Sequence, residues 1–283
     1  MAGGRSLALR AIKAVAAAGD RVRPPQGGVV VLLYHRVGGG SGSEVDLSPS
    51  VFDEQMGWLA DSGRLVGLDA AVDALEAAGT GDGGGNGNSG GVDHPVAVTF
   101  DDGTADLADI ATPILQRHGV PATVYLATRF IDEATPFPGD GTPLSWSAVR
   151  DMASTGLVAF GSHTHSHRLL DRLPPAEAAD ELDRSRLLIE DAVGAPVEHF
   201  AYPKGVAASA EVEPLVRGRY RSAALAGCRP NPYGGTDVHR LSRTPMQVSD
   251  GTGYFVRKAQ GGMALEDGIR RAVNRVRYRA AVR

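Results

Sequence analysis

Cysteine is nearly absent from this chain: its 283 residues include one, Cys228. A lone thiol excludes an internal disulfide and any zinc site built from cysteines, so nothing asks for an oxidising compartment. Long apolar runs are missing as well. Residues 1–23 carry Leu7, Leu9, Ile12 and Val15 at helical spacing, but Arg10 and Lys13 interrupt them. The stretch therefore falls short of a secretory core, and no later run reaches the ~20 residues of a membrane span. The expectation is a cytoplasmic protein, whose basic ends are the one route to association with the inner face of a membrane. An excess of positive charge is also lacking, since 29 Lys and Arg against 33 Asp and Glu leave a formal charge of −4. That balance argues against nucleic acid as a partner of the body. No Gly-x-Ser-x-Gly element offers a serine nucleophile. Gly79, Gly81 and Gly84 have dinucleotide-fingerprint spacing but follow a helical pattern, and no Lys-Ser or Lys-Thr comes after them. Residues 79–91 read as a glycine-rich surface insertion rather than a phosphate cradle.

What the chain does have is a strand–helix–strand rhythm in a composition that is 42% hydrophobic, enough for one large α/β domain or two small ones. Val29 to Tyr34 is a continuous apolar run that ends in His35-Arg36, the pattern of a strand buried on both faces. Ser50 is expected to cap a helix over 51–62 with Phe52, Met56 and Leu59 as its stripe, followed by a short strand over 65–68 and a helix over 69–78. The spacing then predicts a helix over 105–118 closed by Gly119, a strand over 122–126, and, with Leu144-Ser145-Trp146, a helix through 154. A strand over 157–160 follows, then a helix over 176–193 opened by Pro174-Pro175 and closed by Gly194, with Glu181, Arg184, Arg186 and Glu190 as its solvated face. Such alternation predicts βα units in a mainly parallel sheet or barrel, where chemistry gathers at the carboxyl ends of the strands.

Two clusters fall at such ends. Val96-Ala97-Val98-Thr99-Phe100 stops at Asp101-Asp102-Gly103, which puts two carboxylates in one exit turn, where one can hold a metal while the other moves a proton. Asp-Gly is also an ordinary turn signal. The second cluster is Gly161-Ser162-His163-Thr164-His165-Ser166-His167, where three of the eight histidines lie within five residues. His163 and His167, four apart, can converge on one ion; a polar loop satisfied by backbone is the other reading. The coincidence of both clusters with predicted strand termini favours the metal.

In order along about residues 29–245, Leu32-Leu33-Tyr34-His35-Arg36-Val37, Thr99-Phe100-Asp101-Asp102-Gly103, Leu144-Ser145-Trp146, His163-Thr164-His165-Ser166-His167 and Phe200-Ala201-Tyr202-Pro203-Lys204-Gly205 resemble the polysaccharide deacetylases with the NodB-homology domain, carbohydrate esterase family 4. The resemblance implies an α/β fold, a distorted (β/α)7-type barrel, and a divalent metal held by Asp102, His163 and His167. Zinc is the first choice for two imidazoles and a carboxylate, which also suit cobalt, nickel or iron. The implied reaction is removal of the N-acetyl group from an N-acetylhexosamine in a polysaccharide or intracellular glycan precursor, with Asp101 as base and the Lys204 backbone N–H at the oxyanion. Two departures matter. Ala201 stands where members often carry an arginine that orients the catalytic aspartate, and Arg243, in His239-Arg240-Leu241-Ser242-Arg243, is the expected replacement. No late strand ends Leu-x-His, so His239 is the candidate general acid by position and His35 the alternative. A C–N amidohydrolase for a non-sugar amide, or an inactive metal-containing glycan-binding module, remains an alternative function.

The expected organisation is a basic extension over 1–28, the catalytic domain over 29–245 and a basic helical tail over 246–283. Residues 257–283 hold eight basic side chains against Glu266 and Asp267, with Ile269, Ala272, Val273 and Val276 at helical spacing. The tail is expected either to contact anionic lipid or to pack by its apolar stripe as a solvated helix. Trp146 suits a sugar groove or the core equally.

Overall fold

The computed structural model describes residues 12–20, 25–79, 94–138, 141–266 and 268. The glycine-rich insertion, and most of the basic stretches at either end, lie outside them. Seven parallel strands form the sheet: β1 (Val30–Tyr34), β2 (Val96–Phe100), β3 (Ala122–Leu126), β4 (Val158–Ser162), β5 (His199–Ala201), β6 (Ser222–Ala224) and β7 (Arg243–Pro245). Their order is β6-β5-β4-β3-β2-β1-β7, so the last strand returns beside the first. The two edges then meet. Leu225 N donates to the Leu241 carbonyl at 2.8 Å, Leu241 N to Ala223 at 3.0 Å and Gly227 N to Arg243 at 2.7 Å, which nearly closes the sheet into the expected barrel.

Strand alternation sorts the side chains between two layers. Val30, Leu32, Tyr34, Val96, Val98 and Phe100 point outward into the main core, where they meet Phe52, Met56 and Leu59 of α2 (Pro49–Asp61); a short helix over 12–20, α1, precedes it. Val31, Ala97, Tyr125, Ala201 and Ala224 form an inner cluster, against which α3 (Leu68–Gly79) packs Leu68, Ala71, Val72 and Leu75. Small residues predominate inside because a narrow barrel has little interior volume. The space they leave is taken by the Tyr125 ring and by the Arg243 guanidinium, stacked 5.0 Å from the ring centroid.

Several boundaries differ from the sequence expectation. Ser48, not Ser50, caps α2, because Pro49 at the first helical position lacks the N–H a cap would serve and has its φ already set. The strand expected over 65–68 is a single bridge from Leu65 to Val96, after which α3 starts at once. The helix expected over 105–118 begins as a widened π-turn at Leu107–Ala111 before α4 (Thr112–His118). Pro113 explains this, since a proline denies the helix an amide donor and crowds the carbonyl four residues back, and Thr112 bonds instead to the Leu107 carbonyl through its Oγ1 at 2.7 Å. Gly119 and Gly194 close α4 and the long helix α7 (Pro175–Val193) at φ 63° and 69°, the left-handed cap that glycine supplies at least cost. The intervening helices are α5 (Thr128–Asp132) and α6 (Trp146–Ser154), and α8 (Glu213–Arg217) and α9 (Gly251–Ala259) follow. Trp146 is half-buried and packs on the main core. The described parts of both expected extensions also pack on the barrel: Phe255 of α9 meets Trp58 of α2 edge-on at 5.5 Å, and Lys13 of α1 is buried against Asp250. Lys13 thus points inward rather than out to solvent. No helix among the described residues is long and apolar enough to cross a membrane.

Candidate active site

The acidic turn leaves β2 at the carboxyl end of the barrel. Asp101 N donates to the Tyr34 carbonyl at 3.1 Å and Ala127 N to the Asp102 carbonyl at 3.1 Å, so β1 and β3 hold the turn from both sides. Asp102 adopts φ 73° and Gly103 φ 95°. That reversal sends the two carboxylates different ways. Asp101 turns into the barrel, 4% exposed, and meets Arg243 in a two-pronged contact: Nη1 to Oδ1 at 2.5 Å and Nη2 to Oδ2 at 2.8 Å. Arg243 sits at the amino end of β7, but its side chain climbs past Tyr125, donates Nε–H to the Leu225 carbonyl at 3.1 Å and delivers a wholly buried guanidinium. Burial alone raises the Asp101 carboxyl. The charge of Arg243, with His163 next and the Arg243 hydrogen bonds after it, outweighs burial and holds Asp101 at about 2.

Asp102 faces the histidine loop instead. β4 runs into His163, whose N–H bonds to the Leu126 carbonyl at 2.9 Å. His163 donates Nδ1–H to the Ala201 carbonyl at 2.7 Å, which leaves its Nε2 lone pair aimed at the acidic turn. His163 Nε2 lies 3.8 Å, and His167 Nε2 3.5 Å, from Asp102 Oδ1. These separations exceed hydrogen bonding and approach the roughly 3.3–3.6 Å that tetrahedral geometry sets between donors lying 2.0–2.2 Å from an ion. Burial, with the neighbouring His163 second, lowers His167 below the ordinary imidazole value and favours the neutral, ligating form. Thr164 and His167 take φ 66° and 59°. With Asp102 and Lys204 they make four of the six non-glycine residues that have left-handed backbone among the described residues, a concentration of strain at one place. The donor set, its spacing and its tautomer fit a divalent cation.

The cleft over these groups has a volume of 360 Å³ and is walled by His35, Lys204, Gly205, Ala226 and Pro245 as well as the two aspartates and two histidines. Lys204 has φ 56° just after Pro203. His35 has a buried Nδ1 without a hydrogen-bond partner. His239, the acid expected by position, lies elsewhere: it precedes β7 at the amino end of the barrel and donates Nε2–H to the Tyr220 carbonyl at 2.9 Å. Four residues of separation from Arg243 carry the backbone the wrong way along the strand, and an imidazole lacks the reach by which the arginine returns.

The sequence profile of the family described as polysaccharide deacetylase matches residues 89–217, the span that contains both aspartates and both histidines. Over this span the chain is similar to the polysaccharide deacetylases. Its relatives include YxkH of Bacillus subtilis (strain 168), which bears a polysaccharide deacetylase name and is 23% identical over 230 residues, covering 80% of this chain and 75% of the relative. Among solved structures, polysaccharide deacetylase BA0330 of Bacillus anthracis superposes with a TM-score of 0.68 at 24% identity, over 83% of this chain and 69% of that one. The Streptococcus pyogenes deacetylase PplD, solved in complex with acetate, gives 0.67 at 18% identity over 83% and 99%. At these identities the superpositions speak for the fold.

Two further features of the cleft and its surroundings were not visible as site features in the sequence. Tyr125 carries the Arg243 guanidinium on its ring face, and only closure of the barrel brings them together. Glu181, expected on a solvated face, is buried, and both its carboxylate oxygens bond to Ser166 of the histidine loop. The signal was available: Ala178, Leu182, Ser185, Ile189 and Ala192 are the buried stripe of α7, and Glu181 falls within it at the i, i+4 position to Ser185. A second group of potential ligands, Asp69, Glu198 and His199, lies at the amino end. There both His199 ring nitrogens are already engaged, Nε2 with Asp69 at 2.8 Å and Nδ1 with Ser222 at 2.9 Å, so the group ties α3 to β5 and β6. The larger cavity of 890 Å³, walled by Asp20, Arg229 and Arg240, is also remote from the acidic turn and gathers no ligating cluster among the described residues.

Proposed function

We propose that this chain hydrolyses the N-acetyl group of an N-acetylhexosamine within a glycan or glycan precursor, and that it requires a divalent cation, zinc in the first place, held by Asp102, His163 and His167. The observation that carries the reading is the division of labour in the acidic turn: Asp102 joins the imidazoles while Asp101, one residue away, is held ionised by Arg243 in the same cleft. Such an ion would supply polarisation of the acetyl carbonyl and a water acidic enough to act near neutral pH. Asp101, an acceptor only, takes the proton of the attacking water. Arg243 orients that carboxylate and keeps it charged, the part Ala201 cannot play. The Lys204 backbone N–H meets the charge that develops on the carbonyl oxygen. As the C–N bond breaks, the sugar nitrogen needs a proton, and His35 is the histidine that lines the cleft outside the proposed ligand set. Acetate and a free amine leave.

The test is acetate release from a panel of N-acetylated glycans and glycan precursors, using protein stripped of metal and reloaded with zinc or cobalt. Asp101→Asn is expected to lower kcat by about 10²–10⁴-fold, the scale of a general base, with metal content unchanged. Equal turnover by that variant would remove Asp101 from the mechanism.

A further inference from the structure

We propose that Glu181 is the positioning residue of this metal centre: reaching from α7, it holds Ser166 by two hydrogen bonds and thereby fixes the strained loop that carries His163 and His167. The proposal rests on the reading of those histidines as ligands.

The loop needs an external hold. Thr164 and His167 have φ 66° and 59°, conformations that non-glycine residues keep only when the surroundings over-determine them. Both the main chain and the side chain of Glu181 supply the hold. Ser166 N donates to Oε2 at 2.7 Å and Ser166 Oγ to Oε1, while His165 N donates to the Glu181 carbonyl at 3.1 Å. From the far side, Arg129 N donates to the His165 carbonyl at 2.8 Å. One turn along α7, Ser185 accepts from Ser162 Oγ at 2.9 Å, so the loop is stitched to the helix at both ends.

The chemistry of Glu181 singles it out from an ordinary packing residue. Its carboxylate is buried, and among the described residues no Lys or Arg pairs with it; both oxygens go to the residue adjacent to His167. A buried carboxylate with no counterion is costly unless it is fully bonded, whereas an apolar side chain would serve packing alone. What the ionised acceptor adds is strength and direction in two bonds to one donor residue. Those bonds set the exit angle of Ser166, and so where the His167 ring can point. Loss of comparable groups behind metal ligands weakens metal binding by about 10–100-fold.

The experiment uses the full chain stripped with a chelator. Zinc affinity is measured by competition, and the visible absorption of the cobalt-loaded protein reports ligand geometry. Glu181→Gln keeps the shape but only one acceptor oxygen; it is expected to bind zinc about 10–100-fold more weakly and to shift the cobalt spectrum, with the unfolding midpoint of the metal-free protein little changed. Ser166→Ala is expected to lose less, and to add little in the Glu181→Gln background, because both changes remove the same interaction. It also carries the test should Glu181→Gln fail to fold. A zinc Kd within twofold of wild type and an unaltered cobalt spectrum in these variants would overturn the proposal. Asp102→Asn, run in parallel, separates the failures. If wild type binds no metal, or Asp102→Asn binds as tightly as wild type, the metal site itself is refuted and this inference with it. If only Asp102→Asn loses metal, the role of Glu181 alone is refuted.

Discussion

Arg243 and Asp101 form the buried ion pair on which the cleft depends. A wholly buried pair is weak evidence of net stability, but removal of one partner leaves an uncompensated charge inside the barrel. Arg243→Leu is expected to cost about 3–5 kcal/mol in urea unfolding at pH 7 and to reduce kcat sharply. Arg243→Lys is expected to recover part of the stability but little of the rate, because an ammonium lacks the planar fork that meets both carboxylate oxygens. Equal rates for the lysine variant and wild type would show that charge, not geometry, is what Asp101 needs. Arg243 was legible as the replacement for the arginine that Ala201 displaces. Its route to Asp101, past the Tyr125 ring through the barrel interior, was not.

Among the elements, β4 ends at Ser162 and so places His163, one of the proposed ligands, directly. Gly161 lets it sit close to its neighbours: a Cβ there would stand 2.6 Å from Tyr125 Cδ1 and 2.7 Å from the His199 carbonyl, and the carbonyl is backbone that cannot swing away. Gly161→Ala is therefore expected to destabilise by about 1–3 kcal/mol, the usual cost of overpacking, and to weaken metal binding by displacing the strand end. Calorimetry and zinc titration check the two effects, and a variant as stable and as tightly binding as wild type would mean the barrel yields there. Strand positions at this scale were readable because alternation and strand-end chemistry are local patterns. Helix onsets were less so. Pro49 and Pro113 moved two of them, and Leu65 pairs only once with β2, because the tertiary hydrogen-bond pattern decides where a short extended run stops.

Across the whole molecule, the residues flanking the barrel are bound to it by charge. Lys13 of α1 and Lys258 of α9 share Asp250, and Glu266 lies 3.1 Å from the first and 3.4 Å from the second. Burial pushes the Lys258 amine down, but Asp250 and its neighbours override this and raise it above the ordinary lysine value. A raised folded value gives stability that is complete below the unfolded value near 10.5 and is lost only as pH rises beyond it. Asp250→Asn removes the shared counterion, and at pH 7 a loss of about 3–5 kcal/mol is expected. Burial then dominates and depresses the lysine, so the variant gains stability as pH climbs toward 10.5 while wild type stays level. The gap between the two should narrow with rising pH in urea titrations; a constant gap would mean that Lys258 is not the group that responds.

The sequence by itself determined the βα alternation, the parallel barrel and the two clusters at strand ends, because hydrophobic period and turn chemistry act over a few residues. Its ordered motifs also carried the resemblance to polysaccharide deacetylases, which needs no coordinates. Only the tertiary structure decided which end of the barrel each remaining group occupies. His239 and Arg243 lie four residues apart, yet one stays at the amino end while the other reaches Asp101 through the interior. Glu181 and Lys13, charged residues in polar-looking helices, face inward for the same reason: a buried charge is placed by its partner, and the partner is far away in the chain.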